Sequence, residues 1–350
     1  VYIYTRLPKR FGKTMAVTIR EVAKRLRLSI TTVSRALDGY DDVAEKTRQR
    51  VTRVAREMGY APSRAARQLR RQQADAIGYI LPTSGTHFTD PFFSEFIAGL
   101  GDEATSHNFD LLVSTASPDS SAESTLYERW VQSRLIDGIV LSRMRLQDWR
   151  AKFLFQTKFP FVAHGHTRQK FKFPYIEVDS RAGFKLMVKH LVERGHRRIA
   201  YIGAPSRFTL QSDRLNGYRD GLAEAGIPFD VALVVEGDLS RAGGYEAAFP
   251  LLDMPQPPTA MIAVNDLTAI GAMRAARERG MIIGKNIAIA GYDGTDDSEH
   301  TEPPLTTLRQ EVYGIARQLA QLLISHISGE RIDCKQIIQP QLIIRESTGG

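Results

Sequence analysis

The sequence predicts two parts of different class, a small all-α helix-turn-helix domain followed by an α/β domain of two Rossmann-like subdomains. Three observations carry this expectation. Between residues 17 and 58 apolar side chains recur with helical period in three short segments, and from residue 76 onward short apolar runs alternate with helical stretches. The third observation is charge: residues 1–72 hold 18 Lys+Arg against 6 Asp+Glu, and the rest hold 29 against 33. The formal net charge of +8 therefore sits in the first fifth of the chain, as expected of a nucleic-acid-binding module joined to a near-neutral body.

Taken in order, residues 1–15 read as a basic, disordered tail and 16–61 as the helix-turn-helix domain. In VTIREVAKRLRLSITTVSRALDG, Ile19, Val22, Ala23 and Leu26 follow the i, i+3, i+4, i+7 spacing of one helix face. Thr18 with Glu21 three residues on predicts a capping box at its start. Arg27-Leu28-Ser29 breaks the period, Ser29 can cap a second helix, and Val33, Ala36 and Leu37 form its inner side. That leaves Ile30, Thr31, Thr32, Ser34 and Arg35 for the outer face near the helix start, where a recognition helix meets base edges; Thr18 joins this DNA-binding set. The duller alternative is a surface helix whose hydroxyls do nothing. Asp42 with Glu45 predicts another box-like start, and Thr47, Val51, Val54, Ala55 and Met58 give a third amphipathic helix ending at Gly59.

The blocks VTIREVAKRLRLSITTVSRALDG, VAEKTRQRV and MGYAPSRAARQLR, with further blocks downstream, resemble the lactose-repressor/galactose-repressor (LacI/GalR) family of bacterial transcription regulators over nearly the whole chain. The resemblance implies a helix-turn-helix DNA-binding domain and a periplasmic-binding-protein-like domain of residues 74–350. It also implies that 62–73 is a hinge that becomes helical on operator DNA, with Leu69 wedged in the minor groove and Arg64 and Ala66 beside it. Two residues depart from the family pattern: Arg27 replaces the usual glycine of the turn, and Ser63 an asparagine.

Strands are expected at 76–81, 110–114, 138–142, 161–164, 199–202, 233–236, 260–264, 287–291 and 341–345. Helices are expected at 93–106, 122–133, 181–194, 214–225, 243–252, 267–278 and 312–327. Near-continuous apolar strands alternating with helices mean parallel sheets covered on both faces. That many strands suit two subdomains, about 74–177 with 307–336, and about 178–306 with 337–350, the segment Pro303-Pro304-Leu305-Thr306-Thr307-Leu308 serving as a crossover. Ligands in such folds bind beyond the carboxyl ends of strands, and those positions here are polar or aromatic: Asp90-Pro91-Phe92-Phe93, His164-Gly165-His166, Gln211-Ser212-Asp213, Gly237-Asp238-Leu239, Asn265-Asp266 and Tyr292-Asp293. Carboxylates, amides, arginine and rings converging on a cleft suit a polyhydroxylated ligand. Singly, Asn265 and Asp266 read equally as helix caps, Phe92 and Phe93 as core, and Arg214 as a surface ion-pair partner.

The family resemblance implies effector contacts at Arg214 in DRLNGY, Asn265 in AVNDLTAIGA, Asp293 in AGYDG and the Asp90-Pro91-Phe92-Phe93 block, with His164, His166 and Leu239 lining the same site. Gly165 stands where relatives often have aspartate, and Leu239 where some stack a ring. PFFSEFIAGL and FVAHGH resemble members that sense α-glucosides. No catalytic constellation, cofactor fingerprint or metal set is expected. The G-x-G-x-x-A match at Gly99 falls inside a helical pattern, and His164 with His166 has no clear third ligand. One cysteine, Cys334, excludes an internal disulfide, and no apolar run approaches a membrane span. The expectation is a cytoplasmic homodimer, since the chain stops soon after Arg345-Glu346-Ser347 without a leucine-heptad tail. It would bind a pseudo-palindromic operator and a small sugar effector as a repressor of carbohydrate genes; a purine or phosphorylated corepressor is the alternative.

Overall fold

A computed structural model describes residues 17–60, 73–83 and 90–349. The expected tail and the hinge residues Arg64, Ala66 and Leu69, with Ser63, lie outside the described residues. The chain divides after residue 73 into two compact units, each taken by itself below.

The first unit holds α1 (Ile19–Leu26), α2 (Ile30–Leu37) and α3 (Glu45–Glu57). Glu21 closes the capping box by accepting from the Thr18 amide at 2.6 Å and its hydroxyl at 2.9 Å, bonds that hold the Glu21 carboxyl below its ordinary range. α1 ends on Arg27 at φ 53°, ψ 41°, the left-handed region that favours glycine and costs other residues about 1 kcal/mol; this is the physical sense of the glycine usual in that turn. Ser29 caps α2 by accepting from the Thr32 amide at 3.0 Å. α3 starts differently from expectation. Ala44, which has no polar side chain to offer, is its N-cap, and Asp42, two residues earlier, pairs instead with Arg35 at 2.6 Å. Val22, Ala23, Leu26, Val33, Ala36, Val51 and Ala55 form the core, all 4% exposed or less.

The second unit is built on two six-stranded sheets. The first contains β1 (Ala76–Pro82), β2 (Asp110–Ala116), β3 (Gly138–Leu141), β4 (Phe161–His164), β5 (Tyr175–Val178) and β11 (Lys335–Ile338), in the order β11-β5-β4-β3-β1-β2. The second contains β6 (Ile199–Gly203), β7 (Val234–Glu236), β8 (Ala260–Ala263), β9 (Ala288–Asp293), β10 (Thr306–Arg309) and β12 (Gln341–Ile343), in the order β12-β10-β9-β8-β6-β7. Every pairing is parallel except β10 with β12. All seven residues of β1 are buried, as a strand covered on both faces requires.

The helices are α4 (Pro91–Ser106), α5 (Ser121–Ser133), α6 (Trp149–Gln156), α7 (Ser180–Glu193), α8 (Thr209–Glu224), α9 (Arg241–Leu252), α10 (Asp266–Glu278), α11 (Asp296–Glu299) and α12 (Val312–Ile327). α4 packs on α12 so closely that a Cβ at Gly99 would run into the Tyr313 carbonyl, which gives this glycine a packing role inside the helix. Among the described residues no helix is long and apolar enough to cross a membrane.

Three expectations need correction. Thr306–Arg309 is not a crossover but a strand of the second sheet, so the chain changes lobes after Arg309 and again between Ile338 and Gln341, slightly later than the expected 307 and 337. α8 starts at Thr209, which puts Gln211, Ser212 and Asp213 on the helix and not before it. β5, β11, α6 and the four-residue α11 were not anticipated: β5 (YIEV) and β11 (KQII) are four residues each, too short for a period to stand out.

Candidate functional site

In the first unit, Ile30 and Thr31 stand exposed in the first turn of α2, Thr18 is exposed before α1, and Thr32 is half-buried. Ser34 is not on this face. It is 7% exposed, because it lies only about 60° around the helix from Leu37, on the flank of the inner stripe. Arg35 reaches outward but is held: its guanidinium pairs with Asp42 and stacks over the Tyr40 ring at 4.4 Å. Arg20, Lys24, Arg25 and Arg27 add exposed positive charge along α1 and its turn.

In the second unit the lobes line a cleft with about 720 Å³ of empty space, part of it open to solvent, at the carboxyl ends of both sheets. From the first lobe, Asp90 caps α4 through the Phe92 amide at 3.1 Å and takes a 2.6 Å ion pair from Arg143. Phe92 lines the cleft and stacks beside His164, centroids 5.8 Å apart at 23°. Phe93, expected beside it, does not line the cleft. It is 1% exposed, one helical step round from Phe92, and supports the Arg143 guanidinium at 4.6 Å. His164 and His166 diverge: His166 Nδ1 lies 3.1 Å from Glu177 of β5.

From the second lobe, Arg214 of α8 lies 3.7 Å from the centroid of the Tyr292 ring and donates to the Val264 carbonyl. Its Nε has no partner among the described residues. Asn265 caps α10 by accepting from the Thr268 amide at 3.0 Å, and its Nδ2 donates to the Leu239 carbonyl at 3.0 Å, so the cap reading and the site reading both hold. Asp293 ends β9 at φ 123° and accepts from Gln310 at 2.7 Å. Leu239, 6% exposed, closes the wall. The lobes are also joined by hydrogen bonds from Leu146 to Arg207 and from Thr209 to Met144, each 2.9 Å, and by Arg168 to Ser212 at 2.5 Å.

The lining carries four carboxylates, Asp90, Glu177, Asp213 and Asp293, against the guanidinium groups of Arg143 and Arg214. Burial drives His164 down to about 4, aided by Arg214, so this ring is neutral at pH 7. Burial pushes Asp293 well above the carboxylate range, with Asp266 and Asp90 adding to it and Arg214 opposing; it raises Asp90 and Asp213 too. Beneath the cleft, burial raises Asp266 to about 6 although it accepts from Thr307 at 2.6 Å and from the Thr295 amide at 2.8 Å. Neutral hydroxyls can hydrogen-bond to such carboxyl groups in either protonation state. Sequence reasoning missed Arg143, Glu177 and Gln310. Arg143 and Gln310 each follow a strand end, and only the second of those strands, β10, had gone unrecognised.

Residues 18–63 match the sequence profile of bacterial regulatory proteins of the lacI family, and residues 188–348 that of the periplasmic binding protein-like domain. The chain is 34% identical to the HTH-type transcriptional regulator AglR of Rhizobium meliloti (strain 1021), over 96% of this chain and 95% of that one. The lac repressor dimer bound to operator and the anti-inducer ONPF is similar in structure, with a TM-score of 0.81 and 28% identity over 95% of this chain and 99% of that one. The complex of the transcriptional regulator CelR with cellobiose superposes with a TM-score of 0.74 and 29% identity, over 95% and 99% of the two chains.

Proposed function

The chain belongs to the lacI family of bacterial regulatory proteins, helix-turn-helix transcription regulators and not enzymes, and from that premise we propose that it represses carbohydrate uptake or catabolism genes under the control of a small sugar. The observation that carries this reading is the cleft: Arg214 over Tyr292, with Asp293, Asn265, Asp90 and Phe92, offers hydroxyl partners and ring faces from both lobes at once. A ligand bound there fixes the angle between the lobes, and its differential affinity for two lobe arrangements, typically about 1–3 kcal/mol, is the energy available to alter operator binding. In this proposal Ile30, Thr31 and Arg35 read bases, Leu69 wedges the minor groove, and a homodimer reads a pseudo-palindromic site. The cellobiose complex of the similar regulator CelR supports a sugar over a purine.

Thermal shifts with a panel of neutral mono- and disaccharides, their phosphates and purines test this, because a specific ligand stabilises by RT ln(1+[L]/Kd). A neutral sugar is expected to raise Tm while its phosphate does not. A response confined to a sugar phosphate or a purine would overturn the sugar reading.

A further inference from the structure

His166, Glu177 and Asp213 meet at the cleft wall, two from the first lobe and one from the second. One ligand atom from each lies within 4.8 Å of the other two, and all three side chains are partly buried. His166 Nδ1 and Glu177 Oε2 are 3.1 Å apart. Among the described residues, Asp213 has neither a hydrogen bond nor an ion-pair partner within 4 Å, although it faces Glu177. Thr209, one turn before Asp213 on the cleft-lining side of α8, is 3% exposed, and its hydroxyl has no partner either. Two carboxylates thus share a single imidazole; Arg168 and Arg214 add positive charge near Asp213 but make no hydrogen bond or ion pair with its carboxylate.

We propose that these three side chains form a divalent metal site of the zinc class. Zinc takes nitrogen at about 2.0–2.1 Å and carboxylate oxygen at about 2.0–2.2 Å, which spaces tetrahedral ligand atoms about 3.4 Å apart. The His166–Glu177 pair, 3.1 Å apart, would open slightly to take an ion between its atoms, and the Asp213 carboxylate, within 4.8 Å of both, would supply the third side. An imidazole with two carboxylates and no thiolate suits zinc or manganese better than magnesium, which keeps its waters. The fourth position is left to water or a ligand in the cleft, and the Thr209 hydroxyl can hydrogen-bond in the outer shell. Because β5 and α8 belong to different lobes, the ion ties the lobes together. This inference does not depend on the nature of the sugar, nor on operator binding.

The test uses the full chain, stripped with chelator, in isothermal titration with Zn2+ at pH 7 and with Mg2+ as the comparison ion. The expected result is one Zn2+ per chain with a raised Tm, no comparable binding of Mg2+, and at least tenfold weaker Zn2+ binding in both Glu177→Gln and Asp213→Asn. Cooperative melting of each metal-free variant establishes that it folds, and Co2+ substitution gives a spectrum without a thiolate band, which keeps the exposed Cys334 out of the site. Zinc binding that is absent from the parent, or unchanged in both variants, overturns the proposal. So does loss of sugar response in Asp213→Asn when the parent takes no zinc, since the trio would then serve the sugar alone.

Discussion

Arg35 and Arg214 place the same guanidinium in opposite surroundings. Arg35, with a side chain 41% exposed, pairs with an equally wet Asp42 and lies on an exposed tyrosine. Arg214 is 6% exposed, sits over a buried tyrosine, and acts electrostatically on the buried Asp293 of the same lobe. In water an ion pair is worth about 0–1 kcal/mol and can be exchanged for a phosphate or a base edge with little loss. A buried charge is tied to its geometry, because an abandoned partner keeps its desolvation cost. The small unit is thus built to trade partners and the large unit to hold them.

The contrast can be broken most severely at Asp148, fully buried and 2.7 Å from Arg150. Burial pushes the Asp148 carboxyl up, but Arg150 beside it, together with the amide and charge of Arg145, more than reverses this and leaves it below its ordinary value. Asp148→Ala should cost about 3–5 kcal/mol in chemical denaturation, as expected when one member of a buried pair is removed. Next in size, Arg35→Ala should weaken operator binding by about 1–3 kcal/mol with little effect on random DNA. Equal loss on both, in parallel binding titrations, would make Arg35 a phosphate contact. Smallest is Asp42→Ala, which frees Arg35 at a cost of no more than about 1 kcal/mol in stability; its operator affinity should stay within about fivefold of the parent.

Much of this contrast was legible in the sequence, and the misses have physical causes. The helices of the small unit could be read because Val22, Leu26, Val33 and Val51 recur at helical spacing and each lies in its core. Ser34 was misplaced because a residue at the border of a stripe is assigned by a few tens of degrees of helix rotation. In the large unit Asn265, Asp293, Asp90 and Phe92 were found because they follow apolar strands, and Arg214 through the family resemblance of DRLNGY; all five line the cleft. Phe93 was expected there as Phe92's neighbour, yet consecutive helical residues point about 100° apart. Glu177 and Gln310 escaped because β5 and β10 are four-residue strands whose apolar content is interrupted by Glu177 in one and by Thr306 and Thr307 in the other.

The measurement that tests the account most directly is operator titration of the parent and of Arg214→Ala, each with and without the neutral sugar that gives the largest thermal shift. The substitution removes the guanidinium over Tyr292 and leaves every residue of the first unit in place. The account predicts that Arg214→Ala binds operator with the parent's affinity and salt dependence and no longer responds to the sugar. An Arg214→Ala protein that keeps the parent's sugar response would contradict it and place the effector outside this cleft.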